Sequence, residues 1–335
     1  MARNLQVTLV SRPVGEPKES DFALVEAEPP EPAEGEALVR NLWLSLDPYL
    51  RGRMNEGRSY ARHVELGEVM TAQGVGEIVE SRSPRFAAGE IVVGPFGWQE
   101  LAVAPAHHLR RVDPEVAPIS TALHVLGMTG LTAYFGLFEV CGPLPGDTVV
   151  VSAASGAVGQ IVGQLARIAG CRAVGLAGSP EKVDDLLELY GYDAAIDYRT
   201  EDIGQALKQA CPDGVNVYFD NVGGEISAAV HRRLAQNARV AICGQISEYN
   251  QVPPQGGPHS LSFLIVRRVR MEGFLVGDFA HLFEPALARL TAWLREGRLR
   301  YREDVVEGLE QAPRAFIGLL NGENRGKVLV KVAEP

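Results

Sequence analysis

Apolar and polar residues fall into two different patterns along the chain. Over the first 110 residues the apolar positions sit in short β-biased runs. Asn4–Val10, Glu36–Leu46, Gln73–Glu80, Gly89–Val93 and Trp98–Val103 read as strands, each punctuated by proline or glycine. Short strands at such spacing suggest a small barrel rather than βαβ units. After residue 118 the pattern changes. Asp147–Ser152 is a short unbroken apolar strand of the kind buried in a parallel sheet. Gly156–Ala169 then repeats with helical period, with Val158, Ile161, Val162, Leu165 and Ile168 on one side. Further strands follow at Arg172–Leu176, Ala194–Asp197, Val215–Asp220 and Arg239–Gly244. Helices stand between them at Pro180–Tyr190, Ile203–Ala210 and Glu225–Leu234, the first with Ser179 as N-cap. This alternation is the signature of a doubly wound α/β domain. Arg267–Val276 reads as another strand, Leu282–Arg295 as an amphipathic helix, and Gly326–Val332 as a strand that returns to the first domain.

Ile119–Phe138 carries no Asp, Glu, Lys or Arg over 20 residues, the length of a membrane span. Gly127 and Gly130 interrupt it and His124 lies within it. It therefore predicts two short buried helices. The start of the chain has no apolar segment of signal-peptide type.

At 335 residues the chain has room for about two domains. The expected division is 1–118 with 300–335, and 119–299. With 32 basic against 42 acidic residues and no basic block, a nucleic-acid or membrane-surface role is not expected. The cysteines, Cys141, Cys171, Cys211 and Cys243, include no C-x-x-C pair, which fits a reduced, cytoplasmic protein. No metal site is expected. The first 140 residues hold no cysteine, and His63, His107, His108 and His124 lack metal-ligand spacing. His107 and His108, adjacent in an expected strand, would point to opposite faces.

The candidate chemistry starts after Val149–Val151, at Ser152-Ala-Ala-Ser-Gly-Ala-Val-Gly159. Aligned to G-x-G-x-x-G, the three glycine positions are Ala154, Gly156 and Gly159. Gly156 lets the backbone approach a pyrophosphate, and Gly159 lets the helix pack closely on the strand. The helix N-terminus offers amides and a partial positive charge to the phosphates. S-adenosylmethionine is the competing ligand for such a loop. The end of the next strand bears on coenzyme choice. An NAD site carries an acid there to accept from the ribose 2′-hydroxyl. Here Gly178 and Ser179 take that place, and Lys182 follows within reach of a 2′-phosphate. NADP(H) is therefore expected over NAD. Hydride chemistry without a metal suits a conjugated enone better than a simple ketone, because the charge delocalises to an enolate that needs orientation and one hydrogen-bond donor.

The loop, Tyr218-Phe-Asp-Asn-Val-Gly-Gly224, Ile242–Asn250, Trp43-Leu-Ser-Leu-Asp-Pro-Tyr-Leu-Arg51, Gly127–Tyr134 and Gly322–Lys327 together resemble the zinc-independent medium-chain dehydrogenase/reductases. More narrowly, they are similar to the branch of prostaglandin reductases and NADP-dependent 2-alkenal reductases. The resemblance covers nearly the whole chain. It implies a Rossmann doubly wound parallel sheet plus a GroES-like β-barrel domain, a homodimer, and NADPH-dependent reduction of α,β-unsaturated ketones and aldehydes. It also implies roles residue by residue. Gly156, Ala157, Val158 and Gly159 would hold the pyrophosphate, Lys182 the 2′-phosphate, and Tyr198 the adenosine side. Asn221, Cys243, Gly244, Ile246, Ser247 and Tyr249 would line the cofactor. Phe274, Leu275 and Val276 would cover the nicotinamide, with Met128 near it and Asn324 reaching it from the tail. Tyr249 looks like the hydroxyl that steadies the enolate oxygen; the alternative is packing on the nicotinamide ribose. Gln245 and Gly277–Ala280 depart from the branch on the substrate side. The other functions to weigh are quinone reduction on the same fold and non-catalytic NADPH binding. The Asp47–Arg51 motif, Tyr249 and Phe274–Val276 argue for a working cleft.

Overall fold

The structure, a computed structural model, describes residues 3–57, 59–252 and 261–334. In chain order the first strands are β1 (Asn4–Leu9), β2 (Phe22–Ala27), β3 (Glu36–Ser45), β4 (Gly74–Ser81), β5 (Ile91–Gly94), β6 (Leu101–Pro105) and β7 (Arg110–Arg111). They are followed by β8 (Thr148–Val151), β9 (Arg172–Ala177), β10 (Ala194–Asp197), β11 (Val215–Asp220), β12 (Leu234–Ile242) and β13 (Arg270–Gly273). The last two are β14 (Glu303–Glu307) and β15 (Lys327–Lys331). The α-helices are α1 (Leu50–Arg53), α2 (Met128–Phe135), α3 (Gly159–Ile168), α4 (Pro180–Asp184), α5 (Ile203–Ala210), α6 (Gly224–His231), α7 (Ser262–Arg267), α8 (Phe283–Arg295) and α9 (Ala312–Leu320). The chain divides into two compact units, Met1–His124 with Glu303–Pro335, and Val125–Arg302.

The first unit is built on a largely antiparallel sheet in the order β14-β15-β3-β4-β5-β7, with β6 also on β3 and a separate β1–β2 pair. The tail contributes two strands: β15 runs antiparallel to β3 and parallel to β14. Its core gathers Leu9, Leu44, Leu46, Leu50, Trp98, Phe316 and Val330. Trp98 stacks on Phe22 at 5.5 Å and meets Phe316 edge-on at 5.7 Å.

The second unit is a parallel sheet in the order β10-β9-β8-β11-β12-β13. Counting its strands from β8, that is the 3-2-1-4-5-6 order of a dinucleotide-binding fold, with its switch point between β8 and β11. β8 is buried along its whole length and α3 is buried from Gly159 to Ala166, so the unbroken apolar runs have helices or strands on every side.

Several expected elements differ in extent. α3 begins at Gly159 rather than Gly156, because the intervening residues wind into the loop. The helix expected over Pro180–Tyr190 is α-helical to Asp184 and then widens into a π-helical turn. Ile119–Phe138 holds a 3₁₀ turn at Ile119–Leu123, then α2, then a π-helical turn from Gly136. The expected strand Arg267–Val276 shrinks to β13, because Arg268 takes a left-handed φ of 51° that closes α7. β12 starts at Leu234, earlier than expected, and carries Asn237 at φ 59° beside an irregular register with β11. His107 and His108 do not lie in a strand. They form a 3₁₀ turn after Pro105, and their rings stand 4.1 Å apart instead of on opposite faces.

Candidate functional site: the loop at the switch point

β8 delivers the chain into Ser152 at the switch point, and the loop is shaped by its small residues. Ala153 takes a positive φ of 46°. The amide of Gly156 donates to Ala153 O at 3.0 Å, closing a tight turn. A Cβ on Gly159 would lie 2.6 Å from Ala154 Cα and closer still to Ala153 O, so no side chain fits there. One on Gly156 would lie 3.2 Å from Ala153 O, a milder restriction. Ala154, in the first glycine position, is buried, and the space for its methyl comes from the neighbouring strand. A Cβ on Gly175 of β9 would lie 2.8 Å from Ala154 Cβ. The glycine lost from the loop is thus matched by a glycine in the sheet. This backbone cradle at a helix N-terminus fits a pyrophosphate.

Ser152 is tied to the end of β11. Its Oγ donates to Asp220 Oδ1 at 3.1 Å and accepts the Asn221 amide at 2.9 Å. Asn221 Nδ2 returns a bond to Ser152 O at 2.8 Å. Asp220 also accepts from the Val222 and Gly223 amides, the Tyr218 hydroxyl at 2.9 Å and Ser227 Oγ at 2.5 Å. A buried carboxylate with this many donors is satisfied. Burial, reinforced by Asp220, pushes the Tyr218 phenol well up, so it stays protonated and donates. Neither Ser152 nor Asp220 was expected as a site residue. The signal available was a polar residue at the end of each of two adjacent apolar strands.

The same strand end positions the next expected segment. Cys243 and Gly244 donate their amides to Asp220 O at 2.8 and 3.1 Å. Ser247 Oγ donates to Val222 O at 2.6 Å, and Ile246 N reaches Asn221 O at 3.4 Å. Tyr249 folds back on this turn: its hydroxyl accepts from the Gln245 amide at 3.4 Å, and a Cβ on Gly244 would lie 3.2 Å from it. Burial pushes the Cys243 thiol up to about 12, so it is not a thiolate at neutral pH. The structure therefore gathers Gly156–Gly159, Asn221 and Cys243–Tyr249 around one switch point.

The remaining expected residues lie at other strand ends. Ser179 caps α4 by accepting from Lys182 N at 3.3 Å, which puts Lys182 in the first turn beyond β9. Tyr198 follows β10, its amide on Ala177 O at 3.1 Å. Phe274 follows β13, but its ring is turned to the protein. A Cβ on Gly136 would lie 2.5 Å from Phe274 Cζ, and the ring meets Phe219 at 6.3 Å and Phe279 at 6.4 Å, both edge-on. Leu275 is exposed, and Met128 opens α2. Asn324 belongs to the first unit, where its Nδ2 donates to Gly326 O at 2.6 Å.

The Asp47–Arg51 motif, which in the sequence argues for a working cleft, has its charges directed inward. Lys327 is fully buried and donates to Asp47 Oδ1 and to Leu46 O, both at 2.7 Å, while Ser45 Oγ also donates to Asp47. Burial lowers the Lys327 pKa against the pull of Asp47. Arg51, also buried, donates to Gly15 O at 2.8 Å, Pro13 O at 3.2 Å and Asn55 Oδ1 at 2.5 Å. These two residues staple the first unit. Among the described residues no three His, Cys, Asp or Glu side chains gather as metal ligands, and no helix is long and apolar enough to cross a membrane.

Residues 5–112 match the family described as the N-terminal domain of oxidoreductase, and residues 157–292 the family described as zinc-binding dehydrogenase. A 2-alkenal reductase (NADP(+)-dependent) of Nicotiana tabacum is 44% identical, over 98% of each chain. The chain belongs to the medium-chain dehydrogenase/reductases, in their zinc-independent oxidoreductase branch. Another member of this family, prostaglandin reductase 1 of Bos taurus, is 43% identical over 97% of this chain and 98% of its own. The crystal structure of the family member CurA from Vibrio vulnificus in complex with NADPH superposes with a TM-score of 0.94, at 42% identity and full coverage of both chains.

Proposed function

We propose that this medium-chain reductase uses NADPH to reduce the C=C bond of α,β-unsaturated ketones and aldehydes, with hydride delivered to the β-carbon. The observation that carries the reading is the cradle at the switch point: Gly159 without room for a Cβ, at the head of α3. Its family supplies the reaction class, and the tobacco, bovine and Vibrio proteins, by their names, bracket the substrates and the coenzyme. NADPH, when bound, supplies the hydride. The chain's own residues hold, orient and donate. Gly156–Gly159 take the pyrophosphate, and Lys182, rising from the cap at Ser179, takes the 2′-phosphate. Asn221 and Cys243–Ser247, fixed through Asp220, line the coenzyme. Phe274–Val276 and Met128 form the nicotinamide end. Because the ring of Phe274 is packed inward, we assign its part in this contact to the backbone. Tyr249 is the donor to the carbonyl oxygen. A phenol oxygen that accepts an amide hydrogen bond can still give its own proton to an enolate.

We further propose that the protein is a cytoplasmic homodimer. β13 is an edge strand with no further strand beside it among the described residues. Leu261, Ile265 and Val266 stand exposed near it, so a second copy of this chain is the occupant that fits. The decisive test is loss of NADPH absorbance with a panel of 2-alkenals, enones and quinones, with product analysis. Saturated ketones and aldehydes are the expected products. Turnover of quinones alone, or NADPH binding with no turnover of any compound, would overturn the reading. Light scattering at the elution peak checks the dimer.

A further inference from the structure

We propose that Gly178 and Tyr198 form a steric lock on coenzyme choice. The tip of the Tyr198 phenol occupies the space that a side chain at position 178 needs, so a ribose-binding acid at that position has to displace the ring. The inference deepens the NADPH reading above and rests on it.

A Cβ built on Gly178 would lie 2.6 Å from Tyr198 Cζ, 3.2 Å from its Cε1, and closer still to its hydroxyl oxygen. Real Cβ atoms do not approach other atoms this closely, so either the ring or the strand end must move. The demand for glycine comes from the ring and not from the backbone. Gly178 is absent from the residues with positive φ, so an L-residue could adopt its conformation. The backbone on both sides of Tyr198 is tied down, so relief of the clash falls to rotation of the ring. On one side, Asp197 pairs with Ala177 in the β9–β10 register, and the Tyr198 amide donates to Ala177 O at 3.1 Å. On the other side the chain turns at once: Asp197 Oδ1 accepts the Arg199 amide at 3.0 Å, and Glu201 Oε1 accepts the Asp197 amide at 2.7 Å. The tyrosine Cα is fixed, and the partly buried ring packs against the hydrophobic core of the second unit, contacts that rotating it away would give up.

The end of β9 is where an NAD site carries the carboxylate that accepts from the 2′-hydroxyl. Absence of that acid explains only tolerance of a 2′-phosphate. β9 ends at Ala177, and at the residue that follows it an acid and Tyr198 compete for one space, so positions 178 and 198 must change together for an acid to be seated there.

The experiment is a double-mutant cycle read by coenzyme dissociation constants and by thermal shift. Gly178→Asp alone is expected to weaken NADPH binding by about tenfold or more while leaving NADH within roughly threefold, since its carboxylate cannot take the ribose position. Adding Tyr198→Ala is expected to tighten NADH by about tenfold relative to Tyr198→Ala alone, the scale of one charge-assisted hydrogen bond. Gly178→Ala asks the steric question with a single methyl. It should weaken NADPH and lower the melting temperature when Tyr198 is present, and do neither in the Tyr198→Ala background. Tight NADH binding by Gly178→Asp alone, or additive effects of Gly178→Ala and Tyr198→Ala, would overturn the lock. Failure of the unsubstituted protein to bind NADPH would instead overturn the coenzyme reading, and the melting temperatures of the Gly178→Ala pair would still decide whether the two residues exclude each other.

Discussion

At the scale of single residues, the site divides into groups that present chemistry and groups that hold them. Lys182 is of the first kind. It stands in the first turn of α4, beyond a cap that fixes Ser179. A charge-assisted contact contributes about 1.5–3 kcal/mol. Lys182→Ala is therefore expected to weaken NADPH roughly 10–100-fold and to leave NADH almost unchanged. Equal losses for both, in fluorescence titrations, would remove the 2′-phosphate from its role. Tyr249 is also of the first kind, and its hydroxyl sits on the Gln245 amide. Tyr249→Phe should lower kcat with little change in the dissociation constant for NADPH, if the phenol donates to the developing enolate. A weaker coenzyme complex with unchanged kcat would assign it to ribose packing. Ser152 and Asp220 are of the second kind, since their hydrogen bonds run to Asn221, Val222 and Gly223 rather than outward.

At the scale of elements, the phosphate loop depends on its neighbour in the sheet. Ala154 fills space that Gly175 leaves, with 2.8 Å between the Ala154 methyl and a Cβ built at 175. Overpacking a core by one methyl costs about 1–3 kcal/mol. Gly175→Ala should therefore lower urea stability by that amount, and adding Ala154→Gly should recover part of it. The recovery is limited by the contacts of a Cβ at 175 with Leu186 and Tyr192, at 2.8 and 3.0 Å. No recovery at all would mean that Leu186 and Tyr192 set the restriction. The pattern of apolar runs made the parallel sheet and its loop legible, because a buried strand followed by a packed helix leaves an unbroken run and then a helical period. β2 and β14 were not legible, because they are short and largely solvent-facing, with too few buried positions to show a period. The turn of the loop was legible where backbone shape dictates the residue, at Gly156 and Gly159. The site was not legible where the partner is distant in sequence. Nothing local to Gly175 or Gly178 reveals Ala154 or Tyr198, and nothing local to Phe274 reveals Gly136, whose missing side chain seats its ring. The inward charges of Asp47 and Arg51 have the same cause, since their partners Lys327, Pro13 and Gly15 lie far along the chain.

At the scale of the whole molecule, the first unit is assembled from both ends of the chain, which leaves it at His124 and re-enters it at Glu303. Beside this crossing, Ser120 Oγ donates to Glu303 Oε2 at 2.8 Å. The stronger tie is the buried pair Lys327–Asp47, which joins β15 to the turn after β3. Taking away one member of a buried ion pair leaves the other charged and without its counter-ion, at a cost of about 3–5 kcal/mol. Lys327→Ala should therefore destabilise the first unit by that amount. Replacing both, as Asp47→Asn with Lys327→Met, should cost less, because no charge is left buried. The two units offer separate reporters, since Trp43 and Trp98 belong to the first and Trp293 to the second. Unfolding in urea, followed by fluorescence of single-tryptophan variants, should show Lys327→Ala shifting the Trp98 transition much more than that of Trp293. Shifts of equal size would mean that the units unfold as one cooperative body. A double variant as unstable as Lys327→Ala would mean that packing of the lysine stem, and not the ion pair, joins the tail to the first unit.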